Sequence, residues 1–207
     1  MDAVNMSRET YHHGNLKPAL LEAGFRLLDE GGVDAVTVRA LARQAGVAHS
    51  APANHFRDRA ALMSALAATI FEDLGRRVAK ALTTAPPTRD DRLHVFCAVV
   101  VRFALRHPNR YRLMWRRDLF GGATKEVDAA GGRLYADLKA ALTDTGDTVL
   151  ASESDVIAAW SLIHGYLSLR IDGVLTDGRD QITGKPRSVA IVDVLIHGLA
   201  RQAGKRT

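Results

Sequence analysis

The residues best suited to molecular recognition lie between Val36 and Arg59. This stretch contains four arginines and one acidic residue, Asp58. Guanidinium groups neutralise phosphates, and the His, Ser and Asn side chains of the same stretch offer donors and acceptors to base edges. The stretch is therefore compatible with nucleic-acid binding, although the net charge of +5 does not establish it. The arginines are Arg39, Arg43, Arg57 and Arg59.

Metal-ligand chemistry has weaker support. Asp91 with His94, and Asp193 with His197, have helical spacings found among metal ligands. Neither pair has a third ligand nearby, and an exposed Asp–His contact is the commoner arrangement. The single cysteine, Cys97, lies in an apolar helix, where a reactive thiolate is disfavoured. We therefore expect no metal site and no cofactor.

Enzyme signatures are also weak. The stretch from Gly178 to Lys185 resembles a phosphate loop, but it is one residue too long. Pro186 stands where a Ser or Thr would hold Mg²⁺. We expect the protein not to be an enzyme, and a helical enzyme whose N-terminal helices only pack together stays as an alternative.

Apolar residues spaced three and four apart place most of the chain on helices, as at Leu20, Ala23 and Leu27. Of the 207 residues, 47% are hydrophobic and 25% charged, which is enough to bury a core. The pattern predicts an all-α fold of about nine helices, separated by Gly and Pro breaks such as Pro86–Pro87. With no disulfide, secretory signal or membrane span expected, a cytoplasmic location follows.

Residues 37–56 predict two short helices joined by a tight turn. Thr37 is a candidate N-cap, and Gly46 suits a turn that needs positive φ. This spacing is typical of a helix–turn–helix, in which the second helix enters the DNA major groove. A helical hairpin inside a bundle is the alternative for this segment considered alone.

The stretch from Tyr11 to about Phe71 resembles the DNA-binding domain of tetracycline-repressor (TetR) family regulators. The family's features occur in the same order. A first helix is followed by the sequence T-V-R-A-L-A-R-Q-A-G-V, then by a short recognition helix, an aromatic residue and the charged start of the next helix. A looser likeness, through Trp160 and His164-Gly165, is to the C-terminal domain of a subgroup named for a W…HG signature. The resemblance implies a DNA-binding domain at 15–74 and an effector-binding, dimerising domain at 75–207. Residues 1–14 are interpreted as an N-terminal arm near the DNA backbone, and a frayed terminus followed by an N-cap is the alternative.

The resemblance also implies roles for single residues. Thr37, Arg39 and Arg59 would contact phosphate. His49, Ser50 and Ala51 would face base edges, and Asn54 and His55 would reach base or backbone. From the residues themselves, Lys17 is a further candidate phosphate contact, Asn54 could read adenine, and Ala51 could touch a thymine methyl.

Three positions depart from the family pattern. Ala48 stands where a capping Ser or Thr is frequent, so Ser50 could cap the recognition helix instead. Ala53 replaces a tyrosine that usually contacts phosphate, and Arg57 stands at a frequent Pro or Gly. Pro52 lacks an N–H and must lie near the first turn, so we expect a very short recognition helix.

The C-terminal part is expected to hold an effector and to pair with a second copy. For each candidate pocket residue, ordinary core packing is the competing interpretation; the candidates are Phe96, Val100, Phe103, Met114, Trp115, Leu138, Trp160 and His164. The last two long helices are too apolar to face water, which predicts a four-helix interface across a two-fold axis. Its predicted residues are Leu167, Ile171, Val174, Val189, Val192, Ile196 and Leu199.

Together these observations predict a homodimeric regulator that binds a pseudo-palindromic operator in double-stranded DNA. The expected mode is repression, released by an unidentified small-molecule effector. A DNA-binding regulator without a small-molecule effector is the alternative, and it predicts a collapsed bundle with no cavity near Phe103, Trp115 and Trp160.

Overall fold

The computed structural model describes residues 16–122, 124–143 and 151–203, with side chains described as far as residue 198. Eight α-helices and two 3₁₀ turns, Ala51–Asn54 and Arg117–Leu119, make up most of this part of the chain. The described residues contain no strand longer than one bridge, between Arg179 and Pro186, so the all-α prediction is confirmed. The helices are α1 (Leu16–Ala35), α2 (Val38–Ala45), α3 (Arg59–Leu82), α4 (Arg89–Arg106), α5 (Pro108–Met114), α6 (Lys125–Leu142), α7 (Glu153–Ile171) and α8 (Arg187–Ala203).

The chain forms two compact units, which divide between Arg59 and Ala60. The predicted boundary at residue 74 falls inside the continuous helix α3. The predicted arm at 1–14 lies outside the described residues.

The first unit contains α1, α2 and the 3₁₀ turn Ala51–Asn54. Its buried apolar residues recur at helical spacing on α1 and continue into α2 and beyond, so one face of each element supplies the core. They include Leu20, Leu27, Leu28, Val36, Leu41 and Phe56. The predicted short recognition helix is this 3₁₀ turn, because Pro52 has no N–H to extend it and its ring is buried.

The second unit is a bundle built around α4. Helix α4 contacts α5, α6, α7 and α8, and its inward residues Phe96, Val100 and Phe103 are buried. Local signals set its limits: Thr88 accepts a hydrogen bond from the Asp91 N–H at the N-terminus, and Pro108 follows the C-terminus. The bundle is thus specified by capping residues at helix ends and by apolar residues on the inward faces.

Helix α7 begins at Glu153, directly after a capping residue. Ser152 and Asp155 form a reciprocal capping box: Ser152 Oγ accepts from the Asp155 N–H at 3.2 Å, and the Ser152 N–H donates to Asp155 at 3.0 Å. No described helix is both long and apolar enough to cross a bilayer.

Candidate nucleic-acid interface and internal cavity

Helix α2 is fixed at both ends by its own sequence. The Thr37 hydroxyl accepts a hydrogen bond from the Ala40 N–H at 3.1 Å. Gly46 adopts φ +67°, and the Val47 N–H then donates to the Ala42 carbonyl at 3.0 Å. A left-handed residue at this point lets the turn follow directly, so α2 leads straight into the exposed segment.

The segment after α2 exposes short polar side chains, while its apolar residues are buried beneath them. Pro52 and Phe56 are buried, and the Phe56 N–H donates to the Pro52 carbonyl at 2.9 Å. His49, Ser50 and Asn54 are exposed, while Ala51 and His55 are half-buried. The sequence therefore brings the predicted base-facing residues together on one short element.

The alternative cap predicted at Ser50 does not form. Ser50 precedes the 3₁₀ turn, but its backbone is helical, φ −79° and ψ −17°, and its side chain makes no capping hydrogen bond. The Ser50 carbonyl instead accepts from the Ala53 N–H at 3.2 Å. An N-cap needs extended backbone to turn its hydroxyl back onto the helix, and a proline-started 3₁₀ turn does not provide it.

Basic side chains surround this element. Lys17 in the first turn of α1 is exposed, and so are Arg39 and Arg43 on α2. Arg57 is also exposed and pairs with Asp58 at 3.0 Å, so its charge is partly compensated. The predicted phosphate contacts Lys17 and Arg39 are thus accessible to solvent.

Arg59 is used by the fold itself. Its Nε donates to the Val36 carbonyl at 2.8 Å, and its Nη2 donates to the Val33 carbonyl at 2.5 Å. These bonds tie the first residue of α3 to the junction of α1 and α2. Two of the three guanidinium nitrogens thus donate to backbone carbonyls, so a phosphate contact would have to use the third nitrogen, Nη1.

The second unit contains a cavity of about 330 Å³ between α3, α5, α6 and α7. Of the predicted pocket residues, Met114, Trp115 and Trp160 line it. Phe96, Val100 and Leu138 do not, because α4 and α6 turn these side chains into fully packed core. Leu134 of α6, whose apolar type also suggests a pocket wall, lines it as well. The remaining lining residues were not predicted from the sequence; they are Phe71, Arg117, Val127, Asp128, Gly131, Gly132 and Tyr135.

Trp115 is the centre of an aromatic cluster beside the cavity. Its ring centre lies 5.6 Å from that of Phe71, 5.5 Å from Trp160 and 4.8 Å from His164. Its indole nitrogen is buried and makes no hydrogen bond of good geometry among the residues that the structure describes, although the Tyr111 hydroxyl lies near enough for Trp115 to lower the pKa of that group. Leaving such a donor unpaired costs about 1–3 kcal/mol, so an acceptor that reached it would be favoured.

His164 lies behind Trp115 and does not line the cavity. Its Nδ1 and the Tyr111 hydroxyl share a hydrogen bond of 3.0 Å. Burial lowers the pKa of His164 and raises that of Tyr111, with the Trp115 side chain opposing the rise at Tyr111. Both groups are therefore neutral near pH 7, and His164 is a half-buried histidine whose Nδ1 is hydrogen-bonded.

The two Asp–His pairs suggested by spacing do not form as predicted. His94 on α4 pairs with Asp193 on α8 at 3.0 Å, and Lys185 reaches the other carboxylate oxygen at 2.8 Å. Lys185, followed by His94, holds the pKa of Asp193 below its usual range. These contacts fasten α8 and the preceding loop to α4. Burial raises the pKa of Cys97 to about 12, which keeps the thiol protonated.

The predicted dimer residues separate into two groups. Leu167, Val192 and Ile196 are 0%, 2% and 8% exposed, so they pack inside the unit and are not available to a partner. Ile171 and Val189 are half-buried, and Val174 is exposed. The Leu199 side chain lies outside the described residues.

Other apolar side chains of α7 and α8 face outward. Ile157 is 51%, Leu169 44% and Val194 66% exposed. Gly165 of α7 and Gly198 of α8 face open space, since a Cβ added at either would meet no atom within 4 Å. These positions recur at helical spacing, so each helix has an apolar outer face as well as an inner one. We call these the outer faces of α7 and α8.

Two family models match the chain. Residues 20–66 match bacterial regulatory proteins of the tetR family, and residues 93–184 match a tetracyclin repressor-like C-terminal domain. The first match includes the α2 and 3₁₀ segment, and the second includes most of α4 to α7.

Individual relatives agree with these matches. The chain is 30% identical, over 78% of its length and 72% of the relative's, to an uncharacterized HTH-type transcriptional regulator, Rv0681, from Mycobacterium tuberculosis. A protein of unknown function from Rhodococcus sp. RHA1 is 31% identical, with a TM-score of 0.75, over 92% of this chain and 98% of that one. The TetR family transcriptional regulator PfmR from Thermus thermophilus shares the fold, with 18% identity, a TM-score of 0.61 and coverage of 86% and 97%.

Proposed function

Because the chain belongs to the TetR family of DNA-binding transcriptional regulators, we propose that it is a homodimeric repressor released from its operator by an apolar effector. The observation that carries the proposal is the pairing of two features in one chain. One is the exposed polar segment after α2, and the other is the cavity in the second unit. Such a regulator would act in the cytoplasm, and we propose no catalytic activity for it.

In this proposal, His49, Ser50 and Asn54 read bases, with Ala51 and His55 at the edge of the contact. Asn can bond adenine bidentately in the major groove. Thr37, Arg39 and Lys17 hold phosphates and position the reading element. Arg59 acts chiefly by fixing the start of α3, since its guanidinium donates to two backbone carbonyls.

The proposed dimer uses the outer faces of α7 and α8. Ile157, Leu169 and Val194 are apolar and exposed in the single chain, and burying them against a second copy would remove that surface from water. A two-fold axis would join the two pairs of helices into a four-helix interface. Two reading elements about 34–36 Å apart would then match successive major grooves of a pseudo-palindrome.

The cavity indicates the class of effector. Its walls are mostly aromatic and aliphatic, and its volume of about 330 Å³ lies within the range of small-molecule sites. Arg117 and Asp128 pair at 2.8 Å on one wall, so the two charges compensate each other. We propose an uncharged, largely apolar ligand that packs against the rings of Phe71, Trp115 and Trp160.

The regulator without an effector is less well supported. That alternative predicts a collapsed bundle, whereas a cavity lies beside Trp115 and Trp160. An effector could shift the separation of the two reading elements only through unequal affinity for the two states.

Selection of bound DNA from a random pool tests the regulator directly. Purified protein is mixed with the pool at physiological salt, and the bound fraction is sequenced. We expect an enriched palindrome whose half-sites lie about one helical turn, 10–10.5 base pairs, apart. Weak, salt-sensitive binding with no enriched sequence would contradict the operator proposal. The enriched duplex then serves as the probe for a screen of apolar ligands that release it.

A further inference from the structure

A second concavity, of about 440 Å³, lies where the end of α3 meets the C-terminal half of α4. Cations line it from both helices: Arg77 and Lys80 from α3, Arg102 and Arg106 from α4. Phe103 is buried at its floor, with the Arg77 guanidinium 5.9 Å from the ring centre. We call it the α3/α4 groove. It shares no lining residue with the internal cavity, so it is a separate site.

The groove concentrates positive charge, and of its four cations only Arg77 has an ion-pair partner among the described residues. None of the described residues that line it carries a carboxylate. Arg102 and Arg106 are one turn apart on the same face of α4, where like charges destabilise a helix. Lys80, Arg102 and Arg106 are exposed and form no ion pair with any carboxylate in the described parts of the chain.

Other arginines of the same unit form ion pairs, unlike Arg102 and Arg106. Arg112 pairs with Asp172 at 2.8 Å, Arg117 with Asp128, and Arg77 itself is held by Asp73 at 2.9 Å. The remaining cations of the groove gather from two helices without such partners, so an anion from outside would relieve their repulsion.

The ligand's charge and size follow from the lining. A single carboxylate would leave the groove strongly positive, whereas adjacent phosphates can each meet a guanidinium fork. Duplex DNA is too wide to enter a concavity of this volume between two helices. Volumes of this order are usual for small-molecule sites.

The groove also offers neutral hydrogen-bonding groups. The Thr83 and Thr84 hydroxyls donate to the carbonyls of Lys80 and Ala81, at 2.7 and 3.3 Å. Their oxygens are left as acceptors, which suit the hydroxyl or amino groups of a ligand and not its phosphates. The phosphates of a ligand would therefore pair with the cations, and its hydroxyl donors with the threonines.

We propose that the α3/α4 groove binds a small diphosphate that carries hydroxyl donors, of the nucleoside diphosphate class. The arginines of α4 and Lys80 hold the two phosphates, and the threonines accept from the hydroxyl-bearing end. The protein then has a second ligand site, charged where the internal cavity is apolar.

Titration calorimetry of the full chain with ADP, without divalent metal, tests the site. Arg102→Gln/Arg106→Gln is compared with Lys125→Gln/Lys139→Gln, which removes the same charge from exposed positions of α6. We expect one ADP per chain, affinity at least about tenfold lower in the groove variant, and wild-type affinity in the control. Lys80→Gln gives an independent single change, and thermal melts check that each variant folds. Inorganic pyrophosphate should compete with ADP.

Three results would overturn the proposal. The first is no saturable binding of ADP by the wild type. The second is an equal loss of affinity in the groove and control variants, which would mean that only net charge matters. The third is a groove variant that loses affinity for random duplex DNA while ADP binding is undetectable, which would assign these cations to the DNA backbone. None of these results depends on the operator or on the apolar effector.

Discussion

At the scale of single residues, side chains of the same type have different roles. Arg39 is exposed on α2, whereas Arg59 donates to two backbone carbonyls. Asn54 and His49 are exposed on the reading segment, whereas His164 is enclosed by Tyr111 and Trp115. Residue type therefore indicates what a side chain can do, and its surroundings select which of those things it does.

Arg39→Ala and Asn54→Ala should weaken DNA binding in different ways. Loss of a phosphate contact should weaken operator and random DNA alike and reduce the salt slope by about one. Loss of a base contact should reduce discrimination between operator and random DNA by about 1–3 kcal/mol. Fluorescence anisotropy over a salt series measures both. Equal losses on the two DNAs for Asn54→Ala would contradict its reading role.

Arg59→Gln should lower stability more than Arg39→Gln. Hydrogen bonds from a charged donor contribute about 1.5–3 kcal/mol, and Arg59 makes two that join α3 to the α1–α2 junction. Chemical denaturation of both variants measures the difference. Unchanged unfolding free energy in Arg59→Gln would show that these bonds contribute little.

His164 should make stability depend on pH on the acid side. Burial lowers its pKa in the folded protein below 6.5, so the unfolded chain binds a proton first as pH falls. The contribution of a neutral His164 is present above about pH 6.5 and is lost as pH drops below it. Thermal melts from pH 8 to pH 5 should show a shallower decline for His164→Gln, and parallel curves would refute this.

At the scale of elements, helix ends depend on local chemistry. Thr37 and Thr88 cap α2 and α4, and Ser152 with Asp155 forms a capping box at α7. Pro52 limits the segment after α2 to a single 3₁₀ turn. If this segment reads bases as we propose, each base contact would carry a larger share of specificity, because so short an element exposes few side chains.

Gly46→Ala and Gly75→Ala should change stability in opposite directions. Gly46 has φ +67°, where an L-residue costs about 1–2 kcal/mol, although its Cβ would meet no atom within 4 Å. Gly75 lies inside α3 with open space at its Cβ, so Ala there should stabilise the helix by about 0.8–1 kcal/mol. Denaturant unfolding of the two variants measures both signs. A stabilised Gly46→Ala would show that the turn does not need positive φ.

At the scale of the whole molecule, assembly depends on which apolar helix faces stay exposed to solvent once the single chain has folded. Leu167 is fully buried within the unit, whereas Ile157 and Val194 are more than half exposed. The proposed dimer therefore rests on the outer faces of α7 and α8, and not on the buried Leu167, Val192 and Ile196.

Ile157→Asp/Val194→Asp should give a folded monomer that binds the operator weakly. Light scattering reports mass, and circular dichroism reports helix content. Leu167→Asp is the contrasting variant, and it should unfold the bundle because the charge would be buried unpaired. A persistent dimer in the double variant would exclude this interface, and a folded Leu167→Asp protein would question the burial on which the contrast rests.

The sequence by itself determined the features that depend on near neighbours. Helix limits, the cap at Thr37, the left-handed turn at Gly46 and the short segment at Pro52 all follow from residues within about one turn. The family resemblance rests on the same local order of residues, and the matching family models and relatives confirm it.

Only the tertiary structure decided which apolar side chains form core, cavity wall or outer face. Helix α7 is apolar on nearly every side, so spacing alone cannot separate Leu167 from Leu169. Phe71 and Gly131 meet at the cavity although they are far apart in the chain, and His94 finds Asp193 in the same way. Such contacts depend on how helices cross, and the direction of a crossing is set by the packing of the whole bundle.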